Sequence, residues 1–199
     1  MWFPGTEGGN AAADLLFGKV NPSGKLSMTF PKATGQCPIY YNHPSATHIK
    51  SPEDDEVRKF YCSNYIDCGN LPLYSFGHGL SYSNFVYEDL FLSCDSMTAD
   101  GSITVTVTVK NDSQVPGMET VQLYMRDVVA STIRPVQQLI SFQKVAFSPG
   151  ETKEVTFTVI EPMLRFWNRQ DQFISEPGKF RLSTGWADHL IHTKEFILK

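Results

Sequence analysis

His78 lies between Gly77 and Gly79, close in sequence to Tyr74, Phe76 and Tyr82. Glycine neighbours allow close backbone approach, and aromatic rings offer apolar faces for stacking, so His78 and Phe76 are candidates to face a ligand. The competing reading is an aromatic wedge that packs against a neighbouring domain. Glu7 stands before Gly8-Gly9 at the start of a helical pattern. Unpaired amides and the helix dipole favour a carboxylate there, so Glu7 is expected chiefly to cap the helix and shape the loop, with a substrate-adjacent role as the alternative.

The remaining chemical groups are weaker. His43 and His48 sit five residues apart without a nearby carboxylate or thiolate at ligand spacing, and no metal site is expected. Asp54-Asp55-Glu56 lacks the alternating oxygen ligands and the glycine of a calcium loop, and reads as a solvated turn. Gly8-Gly9 lacks the rest of a phosphate cradle, and nothing marks the strained turn of a nucleophilic serine. Cys37, Cys62, Cys68 and Cys94 have no zinc spacing and are expected as reduced thiols, with Cys62–Cys68 the pair to consider if a disulfide forms. Asn111-Asp112-Ser113 is a glycosylation sequon, meaningful only in a secretory pathway. Trp167 and Trp186 could form a glycan platform, although burial in a core or between domains is the commoner fate of tryptophan.

These residues need elements to hold them. Asn10 to Phe17 has helical spacing before Gly18, and Leu26-Ser27-Met28-Thr29-Phe30 alternates as a half-buried strand does. Residues 1–30 therefore predict a strand–helix–strand piece of an α/β layer. One such unit cannot cover both faces of a sheet, so its apolar side chains need partners. Residues 31–85 are rich in Pro, Gly, Asn, Ser and Tyr and predict a long irregular connection of the kind that drapes over a neighbouring domain. From residue 86 to 199 the pattern is short strands between turns. Ile103, Val105, Val107 and Val109 alternate with polar residues, and Val121, Leu123 and Met125, then Val155, Phe157 and Val159, then Phe180 and Leu182 repeat the period. Turn signals at Val115-Pro116-Gly117, Ser148-Pro149-Gly150 and Glu176-Pro177-Gly178 separate them. The expected fold is mainly β: an immunoglobulin-like sandwich preceded by the α/β segment and the irregular connection.

Composition excludes some partners. The 199 residues carry a formal charge of −4 with no basic run, which removes the electrostatic footprint of a nucleic-acid binder. Apolar stretches are far shorter than the roughly 20 residues that span a bilayer. The N-terminus does not read as a secretory signal, and the sequence points to no compartment.

Three blocks carry a resemblance. Trp2-Phe3-Pro4-Gly5-Thr6-Glu7-Gly8-Gly9-Asn10 through Asp14-Leu15-Leu16-Phe17-Gly18, then Asn21-Pro22-Ser23-Gly24-Lys25-Leu26, resembles the end of the α/β sandwich domain of family 3 glycoside hydrolases. Pro72-Leu73-Tyr74-Ser75-Phe76-Gly77-His78-Gly79-Leu80-Ser81-Tyr82 resembles the segment leading into that family's fibronectin-III-like domain, and Arg134-Pro135-Val136-Gln137-Gln138-Leu139 is similar to the body of that domain. The resemblance covers essentially the whole chain and is close to the β-glucosidase and β-xylosidase branch. It implies a retaining hydrolase acting on terminal β-linked glucosyl or xylosyl units, without cofactor. Such chemistry needs two carboxyl groups about 5 Å apart. In the family the nucleophile lies on a (β/α)₈ barrel and the acid/base upstream of the Pro-Gly-x-Glu-Gly-Gly stretch, so neither role falls on a residue here.

The resemblance therefore implies a C-terminal portion that is inactive alone, with the sandwich buttressing the catalytic domains and residues 31–85 reaching the cleft rim. An oligosaccharide or β-glucoside would be bound only together with those domains. A free-standing carbohydrate- or protein-binding module is the alternative, and complementation by a separate barrel half a third. Residues 1–30 are expected to pack loosely, to lie on the sandwich with apolar side chains exposed, or to self-associate.

Overall fold

Alternation with a period of two builds most of this molecule. The structure, a computed structural model, describes residues 3–44, 65 and 68–199. Among them are one α-helix, α1 (Gly8–Leu16), and ten strands: β1 (Phe85–Leu92), β2 (Ser96–Met97), β3 (Ser102–Asn111), β4 (Gly117–Asp127), β5 (Gln138–Phe147), β6 (Thr152–Ile160), β7 (Phe166–Trp167), β8 (Phe173–Ile174), β9 (Gly178–Trp186) and β10 (His189–Leu198). One sheet has the order β1-β3-β6, and the other β2-β10-β9-β4-β5, with β7 and β8 forming a separate ribbon. All pairings are antiparallel except β2 with β10. The mainly-β sandwich expected from the sequence is present.

The core lies between the two sheets. Ile103, Val105, Val107 and Val109 of β3 are fully buried, and meet Val121, Leu123 and Met125 of β4, Val155, Phe157 and Val159 of β6, and Phe180 and Leu182 of β9. Each of these side chains contributes about 1.5–3 kcal/mol by leaving water. Phe180 and Phe196 stack across β9 and β10 with ring centroids 5.5 Å apart.

β4 departs from the expected pattern. Its alternation predicts Gln122 and Tyr124 on a solvated face, yet Gln122 is only 4% exposed and Tyr124 only 1%. The outward face of the five-stranded sheet is covered by residues 21–44 and 70–83. A strand buried on both faces can keep its polar alternation when the covering layer satisfies those polar atoms, and here it does.

The N-terminal piece is also different from expectation. The helix forms, but Leu26–Phe30 is not a strand, and Met1 and Trp2 of the expected strand stub lie outside the described residues. The partner of Leu26–Phe30 is residues 73–78, and the two segments bond only at their ends. Leu26 N–H donates to His78 O at 2.8 Å and Gly77 N–H to Leu26 O at 2.7 Å. At the other end Phe30 N–H donates to Tyr74 O and Leu73 N–H to Phe30 O, both at 2.8 Å. Between them the partner turns at Ser75–His78, with Gly77 at φ +81°, and leaves no regular ladder. Phe3, Leu16 and Phe17 are exposed, as the unpartnered unit predicts, whereas residues 21–30 are firmly docked.

Within the irregular connection, Gln36 is fully buried and organises its surroundings. Its Oε1 accepts from Lys32 N–H at 2.6 Å, and its Nε2 donates to Gly69 O at 2.8 Å and Leu71 O at 3.2 Å.

Candidate functional site

The most constructed polar region joins residues 21–44 and 70–83 to the outer face of the five-stranded sheet. At one edge Lys25 Nζ meets Glu119 Oε2 at 2.9 Å, with side-chain exposures of 15% and 7%. Tyr87 donates to the other oxygen of Glu119 at 3.0 Å. Burial, and then the Glu119 charge beside it, holds the Tyr87 hydroxyl protonated well above the usual tyrosine range. An ion pair this dry survives because further hydrogen bonds satisfy its atoms, and removing one partner alone would strand a buried charge. Asn21 closes the same edge: its Nδ2 donates to Ser83 Oγ at 2.8 Å and Pro116 O at 2.9 Å, and its Oδ1 accepts from Ser81 Oγ and Tyr82 N–H, each at 2.9 Å.

In the middle of the joint, backbone and amide groups interlock. Gln122 Nε2 donates to Gly77 O at 3.1 Å, and Tyr124 donates to Gln122 Oε1 at 2.8 Å. A Cβ on Gly77 would stand 2.9 Å from the Tyr124 hydroxyl and 3.0 Å from Gln122 Nε2, so this position needs glycine for space as well as for its positive φ. Phe76 stacks on Tyr41 at 4.1 Å, and Tyr41 meets Tyr124 edge-on at 6.1 Å. The tip of the β9–β10 hairpin is clamped from both sides. Ala187 N–H donates to Phe76 O at 3.2 Å, Gln137 Nε2 donates to Ala187 O at 2.6 Å, and Ser75 donates to Asp188.

The structure separates the residues singled out from sequence. Phe76 belongs to the joint. Half-buried His78 is stacked on Tyr74 at 5.4 Å and edge-on to Trp186 at 6.3 Å, while Trp186 stacks on His189 at 4.6 Å. Glu7 is at the exposed N-terminus of α1. Its expected capping role is corrected: Glu7 occupies the N-cap position but caps no backbone amide, because its carboxylate accepts from the Asn10 side chain at 2.6 Å. Trp167 is not in the sandwich core: it is 66% exposed in this chain and tilted against Phe173 on the β7–β8 ribbon at 5.4 Å, because its neighbour Phe166 takes the inward position. Asn111 of the sequon is fully buried, with Nδ2 donating to Val115 O at 2.8 Å, so the folded chain offers it no access for a glycan.

Cys37, Cys68 and Cys94 are free thiols, whereas Cys62 lies outside the described residues. So do His48 and Asp54-Asp55-Glu56. Among the described residues no group of three or more His, Cys, Asp or Glu could hold a metal ion, and no helix is long and apolar enough to cross a membrane.

Beside the joint lies a cleft of about 570 Å³, lined by Tyr40, Tyr41, Tyr65, His43, Gln137 and Asp188 together with Thr29, Pro38, Ile39, Asn70, Leu71 and Pro72. Asp188 is the only carboxylate among these lining residues. Among the described residues the paired acids of glycoside cleavage are thus not assembled there. Sequence reading missed Lys25, Glu119, Gln122, Gln137 and Asp188. Their polar types on strands and turns look like solvent-facing positions, and only the long-range packing distinguishes them.

Comparison with known proteins matches this architecture. Residues 1–82 match the glycosyl hydrolase family 3 C-terminal domain, and residues 119–187 match the fibronectin type III-like domain. The chain is 47% identical over 184 residues to the periplasmic β-glucosidase of Salmonella typhimurium, covering 92% of this chain and 24% of that protein. It is 38% identical over 192 residues to a putative β-xylosidase of Formosa agariphila, covering 96% of this chain and 24% of that protein. The crystal structure of the Listeria innocua β-glucosidase in complex with glucose superposes with a TM-score of 0.89 at 44% identity, covering 99% of this chain and 27% of that one. The chain spans about a quarter of the length of the curated relatives it matches. It is a C-terminal part of a family 3 glycoside hydrolase, in which the family's C-terminal domain is keyed to a fibronectin type III-like sandwich.

Proposed function

We propose that this chain is the non-catalytic support of a retaining β-glucosidase-like hydrolase that removes terminal β-linked glucosyl or xylosyl units. The sandwich braces the family 3 C-terminal domain, and catalysis comes from carboxylates outside these residues. The observation that carries this function is the joint itself. A dry Lys25–Glu119 pair and the Gln122–Gly77 interlock fix orientation, a role for which buried polar contacts are better suited than for raw stability. The substrate class rests on the relatives, among them a β-glucosidase, a putative β-xylosidase and the Listeria innocua β-glucosidase crystallised with glucose.

Within this reading Phe76 is a joint residue. Glu7 and His78 are the substrate-adjacent candidates, supported by the exposure of Glu7 and by the position of His78 beside the aromatic rings of Tyr74 and Trp186. No cofactor is required by two-carboxylate chemistry. The exposed Phe3, Leu16 and Phe17 would make the isolated chain self-associate.

The test is aryl β-glucoside hydrolysis by the whole family 3 protein, with and without residues 86–199. Support by the sandwich predicts that the deletion abolishes activity or shortens its half-life at elevated temperature. Unchanged kinetics and half-life would refute it.

A further inference from the structure

We propose that the tyrosine-lined cleft beside the β9–β10 tip binds one pyranose unit of a neutral β-glucoside. The inference rests on the substrate class proposed above and names where this chain meets that substrate. At about 570 Å³ the cleft falls in the ordinary range for small-molecule sites and accommodates a mono- or disaccharide. Three of its polar side chains, Asp188, Gln137 and His43, keep an acceptor after being anchored. Asp188 uses Oδ2 to accept from Ser75, and Oδ1 has no partner among the described residues. Gln137 commits its amide nitrogen to Ala187 O, which leaves Oε1. His43 places Nδ1 3.2 Å from Pro44 O; with the proton on Nδ1 donating there, Nε2 is an acceptor.

Acceptors set beside tyrosine hydroxyls call for a ligand that both donates and accepts, and the Asp188 charge disfavours phosphates and carboxylates. Hydroxyl groups meet that requirement without charge. The tyrosines supply the rest. Tyr40 is 63% exposed, so its ring is available to lie on the apolar face of a sugar. Tyr41 accepts from Leu139 N–H at 3.3 Å and keeps its own proton to donate. The walls are held in place before any ligand arrives, because Phe76 O and Gln137 fix the hairpin tip that carries Asp188.

The test titrates the 199-residue chain with glucose, laminaribiose and cellobiose, by calorimetry and by saturation-transfer NMR. Saturable binding is expected, about tenfold weaker in Asp188→Asn, since a hydrogen bond to a charged acceptor is lost while Asn can still accept from Ser75. Tyr40→Ala, at an exposed position, weakens it similarly, and Trp167→Ala on the β7–β8 ribbon leaves it unchanged. Far-UV dichroism and urea midpoints confirm that each variant folds. No saturable binding, binding indifferent to Asp188 and Tyr40, or binding lost in Trp167→Ala would each overturn the proposal. Aryl β-glucoside hydrolysis by the whole protein is scored separately. Hydrolysis without binding in the titration defeats the cleft alone, and absence of hydrolysis defeats the function proposed above while the titration still decides the cleft.

Discussion

Gly77→Ala is the sharpest perturbation of the joint. The position has φ +81°, which costs an alanine about 1–2 kcal/mol in backbone strain. Its Cβ would also collide with the Gln122 amide and approach the Tyr124 hydroxyl to 2.9 Å. Gln122 cannot swing aside without giving up its bonds to Gly77 O and Tyr124, each with a net contribution of about 1 kcal/mol. Together these amount to about 3–4 kcal/mol against the docked state of residues 70–83. The control is Gly150→Ala, where φ is +71° but nothing lies within 4 Å of the added Cβ, so only the strain of about 1–2 kcal/mol applies. Urea denaturation followed by far-UV dichroism gives the two shifts, and brief proteolysis with mass spectrometry locates the loosened segment. Gly77→Ala is expected to lose more stability than Gly150→Ala and to open residues 70–83 first, with the sandwich intact. Equal shifts, or proteolysis that spares residues 70–83, would show that the interlock does not hold the two parts together.

Three further outcomes follow. Asp127 and Arg134 are a buried pair whose facing atoms, 3.9 Å apart, have no hydrogen-bond partner, and burial pushes Asp127 up from 3.8 to about 6 against the pull of Arg134. The folded chain therefore binds the extra proton between those values, and this group's contribution to stability falls as pH rises from about 4 to 6 and is level above. Glu161 and Glu176 are shifted downward, chiefly by hydrogen bonds from Arg165 and Ser131 respectively, and act with the opposite sign, so the quantity to measure is the pH profile of wild type minus Asp127→Asn. A difference that is flat between pH 4 and 6 would contradict the assignment. Leu123→Ala, in the fully buried centre of β4, should cost about 2–5 kcal/mol in urea denaturation, and a loss below 1 kcal/mol would argue against the described core. Limited proteolysis should trim the chain within residues 3–20 and stop near Asn21, whose side chain makes four hydrogen bonds to Ser81, Tyr82, Ser83 and Pro116; cleavage between 21 and 30 at the same rate would refute that boundary.

The sandwich was legible because a period of two in Val- and Thr-rich runs has few other structural solutions, and β3 and β6 pair as that pattern requires. The family resemblance was legible in the Trp2–Gly18 and Pro72–Tyr82 blocks, both inside the matched C-terminal domain. What sequence hid was the second layer on the sheet. Gln122 and Tyr124 alternate as a wet face would, and their burial depends on Gly77 and Tyr41, which are remote in sequence. The same limit explains Leu26–Phe30, whose alternation is that of a strand but whose partner turns away. It explains Trp167 as well, since adjacent residues of a two-residue strand face opposite ways and composition cannot say which is inside. Glu7 looked like a cap by type and place, but Asn10 offered its carboxylate a competing donor one turn on.

Support without catalysis is tested most directly by incubating the repurified 199-residue chain with an aryl β-glucoside and following release of the phenol. No release above the buffer rate is expected, since the proposed function places both catalytic carboxylates outside these residues. Turnover that persists through repurification would contradict that, and would mean that these residues hold a catalytic pair of their own.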